Sequence, residues 1–331
     1  MQNEVSDDVI STLGGRGLLT NLAAAAARRK GPSDLKAYDL FALGMADFEK
    51  GFAESIKFFD AAIAKDPQFG FAYVKKGWAI FNYALSASAN GDVDEAANEF
   101  ERLSRKAIEI DPYDAEGHVS LGDKLIWWGD LAQGAVEVER ALELNPSSAD
   151  IMALSAGAMS HLGRPEQGAA QCDKAYRLNS APPPWYPAFC YENYFFTKRY
   201  QESAEASKRH YAWQRPRKED LTALVFRAAA QIEAGAADDA AATIAEWKQE
   251  YPQVPVEAYM SFYIAYSRQQ EADQLVASLQ KAGAPMCVPN EKLADFPKLQ
   301  HMKICDEERA KQAVRGSAGR RSVGIAASAG C

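Results

Sequence analysis

Acid–base or metal chemistry in this chain would have to run through its four histidines, His118, His161, His210 and His301, or through paired carboxylates. An imidazole becomes a catalyst or a ligand beside a nucleophile or a second ligand at a recognised spacing, and none of the four has one. His118 stands four residues before Gly122 in a helical pattern, which is a packing position. The acidic pairs Asp94-Glu95 and Asp238-Asp239 open helical runs, where negative charge complements the helix N-terminus, so they read as capping charges rather than as an acid and its base. Leu13-Gly14-Gly15-Arg16-Gly17 lacks the upstream strand that a phosphate-cradling loop needs and reads as a turn leading into a helix. No P-loop, dinucleotide fingerprint, HExxH or GxSxG occurs. Five cysteines, Cys172, Cys190, Cys287, Cys305 and Cys331, form no CxxC and no Cys/His ligand spacing, so they are expected to be reduced thiols. The expectation is a protein that is not an enzyme and holds neither metal nor cofactor.

What the sequence carries instead is a period. Asp111-Pro112 and Asn145-Pro146 lie 34 residues apart, each after an amphipathic run that ends in Ala-Ile-Glu-Ile or Ala-Leu-Glu-Leu. Between them are two helical patterns broken at Gly129-Asp130, where glycine can take the left-handed conformation that closes a helix. Gly122 on the first helix, with Gly134 and Ala141 on the second, places small residues where two helices of a hairpin must touch. Gly163, Gly168, Ala175 and Ser180 repeat this phase in the next unit. Upstream, Phe59, Ala62 and Pro67 take the places of Val138, Ala141 and Pro146, and downstream Gly235, Ala240, Ile244 and Pro252 recover the phase. The interval from Pro67 to Pro112 is eleven residues longer than the period, which predicts lengthened helices and loop around residues 86–94.

A helix-turn-helix unit of this period with Leu121-Gly122, Gly129, Ala141 and Pro146 in order resembles the tetratricopeptide repeat (TPR). The resemblance implies an all-α fold, a right-handed superhelical solenoid of antiparallel helix pairs. Residues 1–34 are then a polar lead-in with a capping or linker helix over about 17–30, residues 35–285 a solenoid of about seven hairpins, and residues 286–331 a short helix and a disordered tail. The succession LKAYDLFALG, AIAKDPQFGFAYV, AIEIDPYDAEGHVSLGDKL, ALELNPSSADIMALSAGAMSHLGRPEQG and APPPWYPAFCYEN, with Pro184-Trp185-Tyr186 and Leu144-Asn145-Pro146 most telling, is similar to the TPR region at the C-terminus of many bacterial class III adenylate/guanylate cyclases. That likeness covers about Leu35 to Pro285. It implies a bacterial, cytoplasmic sensory or scaffolding module; the cyclase catalytic domain has no counterpart here, so cyclase activity does not carry over.

Composition agrees with a packed, water-exposed chain. Apolar residues make up 47% and charged residues 25%, enough for a continuous core. The net charge of −8 argues against nucleic acid as the default partner, because phosphate-binding surfaces need a basic excess. The acidic first residues are no secretory leader and no apolar run is long enough to span a bilayer, so a cytoplasmic location without membrane attachment is expected. Binding is the remaining class: a protein or peptide partner, with self-association as a further outcome. First-helix residues outside the packing register should line the concave groove. These are Trp78, Phe81, Val119, Asp123, Ile126, Ala153, Gly157, Glu192 and Phe195, with Trp127 favoured over the adjacent Trp128. Core packing of the tryptophans and a solvated Asp123 are the competing readings. Asp123 would repel a carboxylate and Lys75, Lys76 and Lys124 fall outside the groove register, which disfavours a clamp for a peptide's C-terminus.

Overall fold

The computed structural model describes residues 35–48, 51–86, 92–214, 221–263 and 269–312. Among them every regular element is helical. In chain order these are α1 (Ala37–Phe48), α2 (Phe52–Lys65), α3 (Gly70–Ser86), α4 (Val93–Ile110), α5 (Ala115–Trp127), α6 (Leu131–Leu144), α7 (Ala149–His161) and α8 (Pro165–Leu178). A 3-10 turn (Tyr186–Phe189) then leads into α9 (Tyr191–Phe196), α10 (Tyr200–Gln214), α11 (Leu221–Glu233), α12 (Ala237–Glu250), α13 (Val256–Tyr263) and α14 (Gln269–Lys281). A second 3-10 turn (Asn290–Asp295) and a helix over 303–312, α15, complete the described chain. Consecutive helices pack as antiparallel pairs, and each pair packs on the next. The result is an all-α solenoid. The expected helix over 17–30 and the tail beyond residue 312 lie outside the described residues.

Local chemistry explains the breaks. Asp92, Asp114, Asp130 and Ser148 each accept a hydrogen bond from a backbone N–H in the first turn of the helix that follows, satisfying donors that the helix itself leaves open. Gly129, at φ 93°, closes the third hairpin in the left-handed region, and in the fifth hairpin Lys198 takes that role at φ 62°. Within the third hairpin a Cβ on Gly122 would sit 2.9 Å from the carbonyl oxygen of Gly134, and one on Gly134 would sit 2.8 Å from that of Gly122. The two backbones touch there, so only glycine fits on either side. The extra residues of the second unit lengthen its helices to 17 and 18 residues, against 13 and 14 in the third; residues 87–91 between them lie outside the description.

Apolar side chains of neighbouring pairs merge. Phe41, Phe59, Phe100 and Tyr186 share one core that runs from the first hairpin to the opening of the fifth, and Phe195, Phe226, Trp247 and Leu275 share the next. No pair buries its apolar surface alone.

One expectation needs correcting. Cys172 on α8 is bonded to Cys190 at the start of α9, and Cys287 is bonded to Cys305 at the head of α15, so four of the five thiols are not reduced. The chain folds back between partners 18 residues apart in both cases, a tertiary closeness with no short motif behind it. After the seventh hairpin the chain packs back onto the solenoid. The Glu257 carboxylate on α13, fully buried, accepts hydrogen bonds from the amides of Val288 and Met302 and from both terminal nitrogens of Arg309 on α15, at 2.7 to 3.2 Å. Together with the second disulfide this clasps residues 286–312 onto α13.

Burial alone would raise the Glu257 pKa, but the Arg309 guanidinium and the two amides outweigh it and hold the carboxyl below its ordinary value of 4.5. A carboxylate with a depressed folded pKa stabilises the fold above its unfolded value and loses that contribution as pH falls through the folded one. Glu257→Ala removes the shared acceptor of two amides and the half-buried Arg309 guanidinium, which among the described residues keeps only Asp306 as its carboxylate partner, and should cost about 2 kcal/mol. The expected outcome in limited proteolysis is early cleavage between residues 286 and 312 at neutral pH, with the difference from the parent protein shrinking under acid. Intact mass without reductant should lack four hydrogens relative to the fully reduced chain, and reduction should lower the melting temperature, each loop of this size contributing about 3 kcal/mol.

Candidate partner-binding groove

The concave face is built from positions that recur on successive first helices. Trp78 and Phe81 leave α3 one turn apart, Trp127 ends α5, and Leu154, Gly157 and His161 follow one face of α7. Spacings of three and four residues put such side chains on one stripe of a helix. The fifth hairpin departs from this rule. Its first helix is cut to six residues by the proline-rich approach, and the 3-10 turn before it carries Phe189 across the concave face. Phe189 lies so close to α7 that a Cβ at Gly157 would stand 2.5 Å from its ring.

These side chains form an aromatic wall around a half-enclosed cavity of about 370 Å3. Phe81 stacks on Trp127 at 5.7 Å with 21° between the planes, and Trp78 meets Trp127 edge-on at 6.1 Å. Phe189 meets Trp78 at 6.2 Å and Trp185 at 5.7 Å, both at 89°. Each geometry suits the ring quadrupole. The Trp78 indole N–H donates to the Ser120 hydroxyl of α5 at 2.8 Å, which fixes the ring's orientation. The wall therefore joins the second hairpin to the third and to the fifth.

Charge enters sparsely. Among the described residues three carboxylates line the cavity, Glu116, Asp150 and Glu192, against one lysine, Lys75, and two imidazoles, His161 and His210. Lys75 pairs with Glu116, and its ammonium lies 4.8 Å from the Phe71 ring centroid. The Tyr186 hydroxyl donates to Asp150 at 2.6 Å, and burial followed by that carboxylate's charge pushes the phenol's pKa well up, so it stays a donor. The Ser160 hydroxyl donates to Glu192 at 3.2 Å. Among the described residues no cluster of three or more His, Cys, Asp or Glu could hold a metal ion, and no helix is long and apolar enough to cross a membrane.

No family model matches the sequence, and no curated protein matches it. Solved structures do. One is the crystal structure of the APC/C hetero-tetramer Cut9-Hcn1, with a TM-score of 0.53 and 13% identity over 83% of this chain and 48% of that one. The fold is tetratricopeptide-like. TTC0263, a TPR protein of Thermus thermophilus, aligns with a TM-score of 0.44 and 16% identity over 59% of this chain and 99% of that one. PilF of Pseudomonas aeruginosa aligns with a TM-score of 0.43 and 14% identity over 75% and 99%. This chain spans about half the length of the Cut9-Hcn1 chain it matches. At such identities the likeness concerns architecture alone.

Within the tetratricopeptide-like solenoid the sequence-derived groove residues divide. Trp78, Phe81, Trp127, Gly157 and Glu192 line the cavity. Val119, Asp123, Ile126, Ala153 and Phe195 are fully buried and do not. Lys75, placed outside the groove by register, lines it, as does Trp128. Trp128 is the C-cap of α5, at φ −106° and ψ 16°, and leaving helical geometry frees its ring from the opposition that adjacent helical residues impose. Among the lining residues that sequence reasoning missed, Trp185 and Phe189 come from the proline-rich approach and Trp213 from the end of α10. The signal for Trp185 and Phe189 was present in the aromatic density of 185–196, though not in the repeat register.

Asp123 requires a correction: it is not a solvated charge. It is wholly buried on α5, and neither carboxylate oxygen has a hydrogen-bond partner. Desolvation raises its pKa well above the ordinary 3.8. The unfolded chain releases this proton near the ordinary value while the folded chain retains it, so the group lowers stability as pH rises from that value to the raised folded one. Asp123→Asn should therefore raise the melting temperature more at pH 8 than at pH 4, and Asp123→Leu should stabilise by about 1–3 kcal/mol at neutral pH. Thermal scans at both pH values test this.

Proposed function

We propose that this chain is a non-catalytic protein–protein interaction scaffold, and that its concave groove holds an extended peptide or partner segment. The observation that carries the reading is the aromatic wall of Trp78, Phe81, Trp127, Trp185 and Phe189 around one half-enclosed cavity. Tryptophans locked by ring contacts offer large apolar area at little entropic cost on binding, the property that makes them interface anchors. The few carboxylates give orientation, and they disfavour a partner that presents its own carboxylate.

A regulatory region of a nucleotide cyclase and a self-assembling repeat protein are narrower readings of the same solenoid. The first rests on the sequence phrases alone, and no contact among the described residues favours either. The bound species separates the three.

The groove reading is tested with a random peptide library displayed on phage. The full chain should enrich a related set of peptides with apolar anchors, and Trp127→Ala or Phe81→Ala should weaken their binding about tenfold or more. Both side chains line the cavity, but Phe81 also belongs to the shared core and Trp127 packs against it, so circular dichroism and thermal melts must establish that each variant remains folded before its binding is read. Enrichment that survives both substitutions unchanged, or no enrichment from an open groove, would remove the reading.

A further inference from the structure

We infer that the groove has an occupant within its own chain: residues 17–30, GLLTNLAAAAARRK, dock on the aromatic wall and compete there with any partner. This deepens the binding reading above and rests on it. Leu18, Leu19, Leu22 and Ala26 fall at i, i+1, i+4 and i+8, one face of a helix. Three leucines on that face suit an aromatic cavity, and the alanine run lets the backbone lie close to the wall. Arg28, Arg29 and Lys30 close the segment. They match a cavity whose carboxylates, Glu116, Asp150 and Glu192, outnumber the one lysine found among its described residues.

Reach agrees. Lys30 precedes Leu35 by five residues, a link that extends to about 17 Å. Phe48, at the far end of α1, lines the cavity and lies about 17 Å of helical rise from Ala37. A helix over 17–30 would be about 21 Å long, sufficient to run along the groove from that point. The basic tail after residue 312 is the poorer occupant. It leaves from the clasp on α13, and RGSAGRRSVGIAASAGC places no three large apolar residues on a helical face.

The test uses the full chain with a photoreactive benzoylphenylalanine in place of Leu22. Irradiation followed by peptide mapping should give links to Trp78, Trp127 or Phe189 within the same molecule, in a monomeric band. Links confined to the convex face, links between two copies, or no intramolecular link would overturn the inference. As a second readout, L18D/L19D/L22D should increase the fluorescence of an added apolar dye several-fold, an increase that Trp127→Ala in the same chain reduces. Unchanged dye fluorescence in a variant with parental helicity would equally overturn it. Peptide selection on this triple variant keeps the two readings apart: enrichment without the crosslink leaves the groove a binding site and removes only its internal occupant.

Discussion

Pairs of helices in this chain are amphipathic on more than one side, so no pair can remove its apolar surface from water without a neighbour. Everything else follows from that. Stacking requires helices that approach closely at fixed positions, which the small residues at Gly122 and Gly134 provide by letting two backbones meet. It also requires turns of one hand, which Gly129 and its counterparts supply with positive φ. Once these recur at a fixed interval, successive first helices must fall side by side. A shared inner face is then a geometric consequence of burial.

That face is not a uniform repeat. In the third hairpin the inner position Asp123 is so completely covered that its carboxylate has lost both water and partners. A different break in regularity shapes the wall at the fifth hairpin. There the prolines that shorten α9 free the chain to swing Phe189 over Gly157 and against Trp78. The disulfide from Cys172 to Cys190 ties this deviating turn to α8, so the ring that closes the groove is anchored covalently one residue away. An irregular element is thus held as firmly as the regular ones, by a bond instead of by register.

The sequence made the period, the hairpins, the capping acids and the closing glycines legible, because each depends on residues within one turn or one unit. It also pointed to the concave face, and to Trp78, Phe81, Trp127 and Glu192 upon it. It did not separate these from Val119, Ile126 and Phe195, which share their register and are buried. Curvature decides that division, and curvature is a property of how hairpins lean on one another. The disulfides and the Glu257–Arg309 clasp stayed hidden for the same reason. Their partners stand 18 and 52 residues apart, and nothing local marks either member.

The arrangement of the wall sets what kind of recognition it can perform. Its rings already pack on one another, and the Trp78 indole N–H is already satisfied by Ser120, so little remains to be ordered when something binds. Such a surface gains affinity from apolar area and gives little directional selection by itself. Selection must come from the sparse charges, and these are already engaged: Glu116 by Lys75, Asp150 by Tyr186 and Glu192 by Ser160. A cationic group entering the groove must therefore share an acceptor that has a partner. The exchange costs little for Asp150, whose second oxygen can accept again, and more for Glu116, where Lys75 would be displaced within the same low-dielectric wall. A positive charge placed in the groove would therefore meet a different cost at Asp150 than at Glu116.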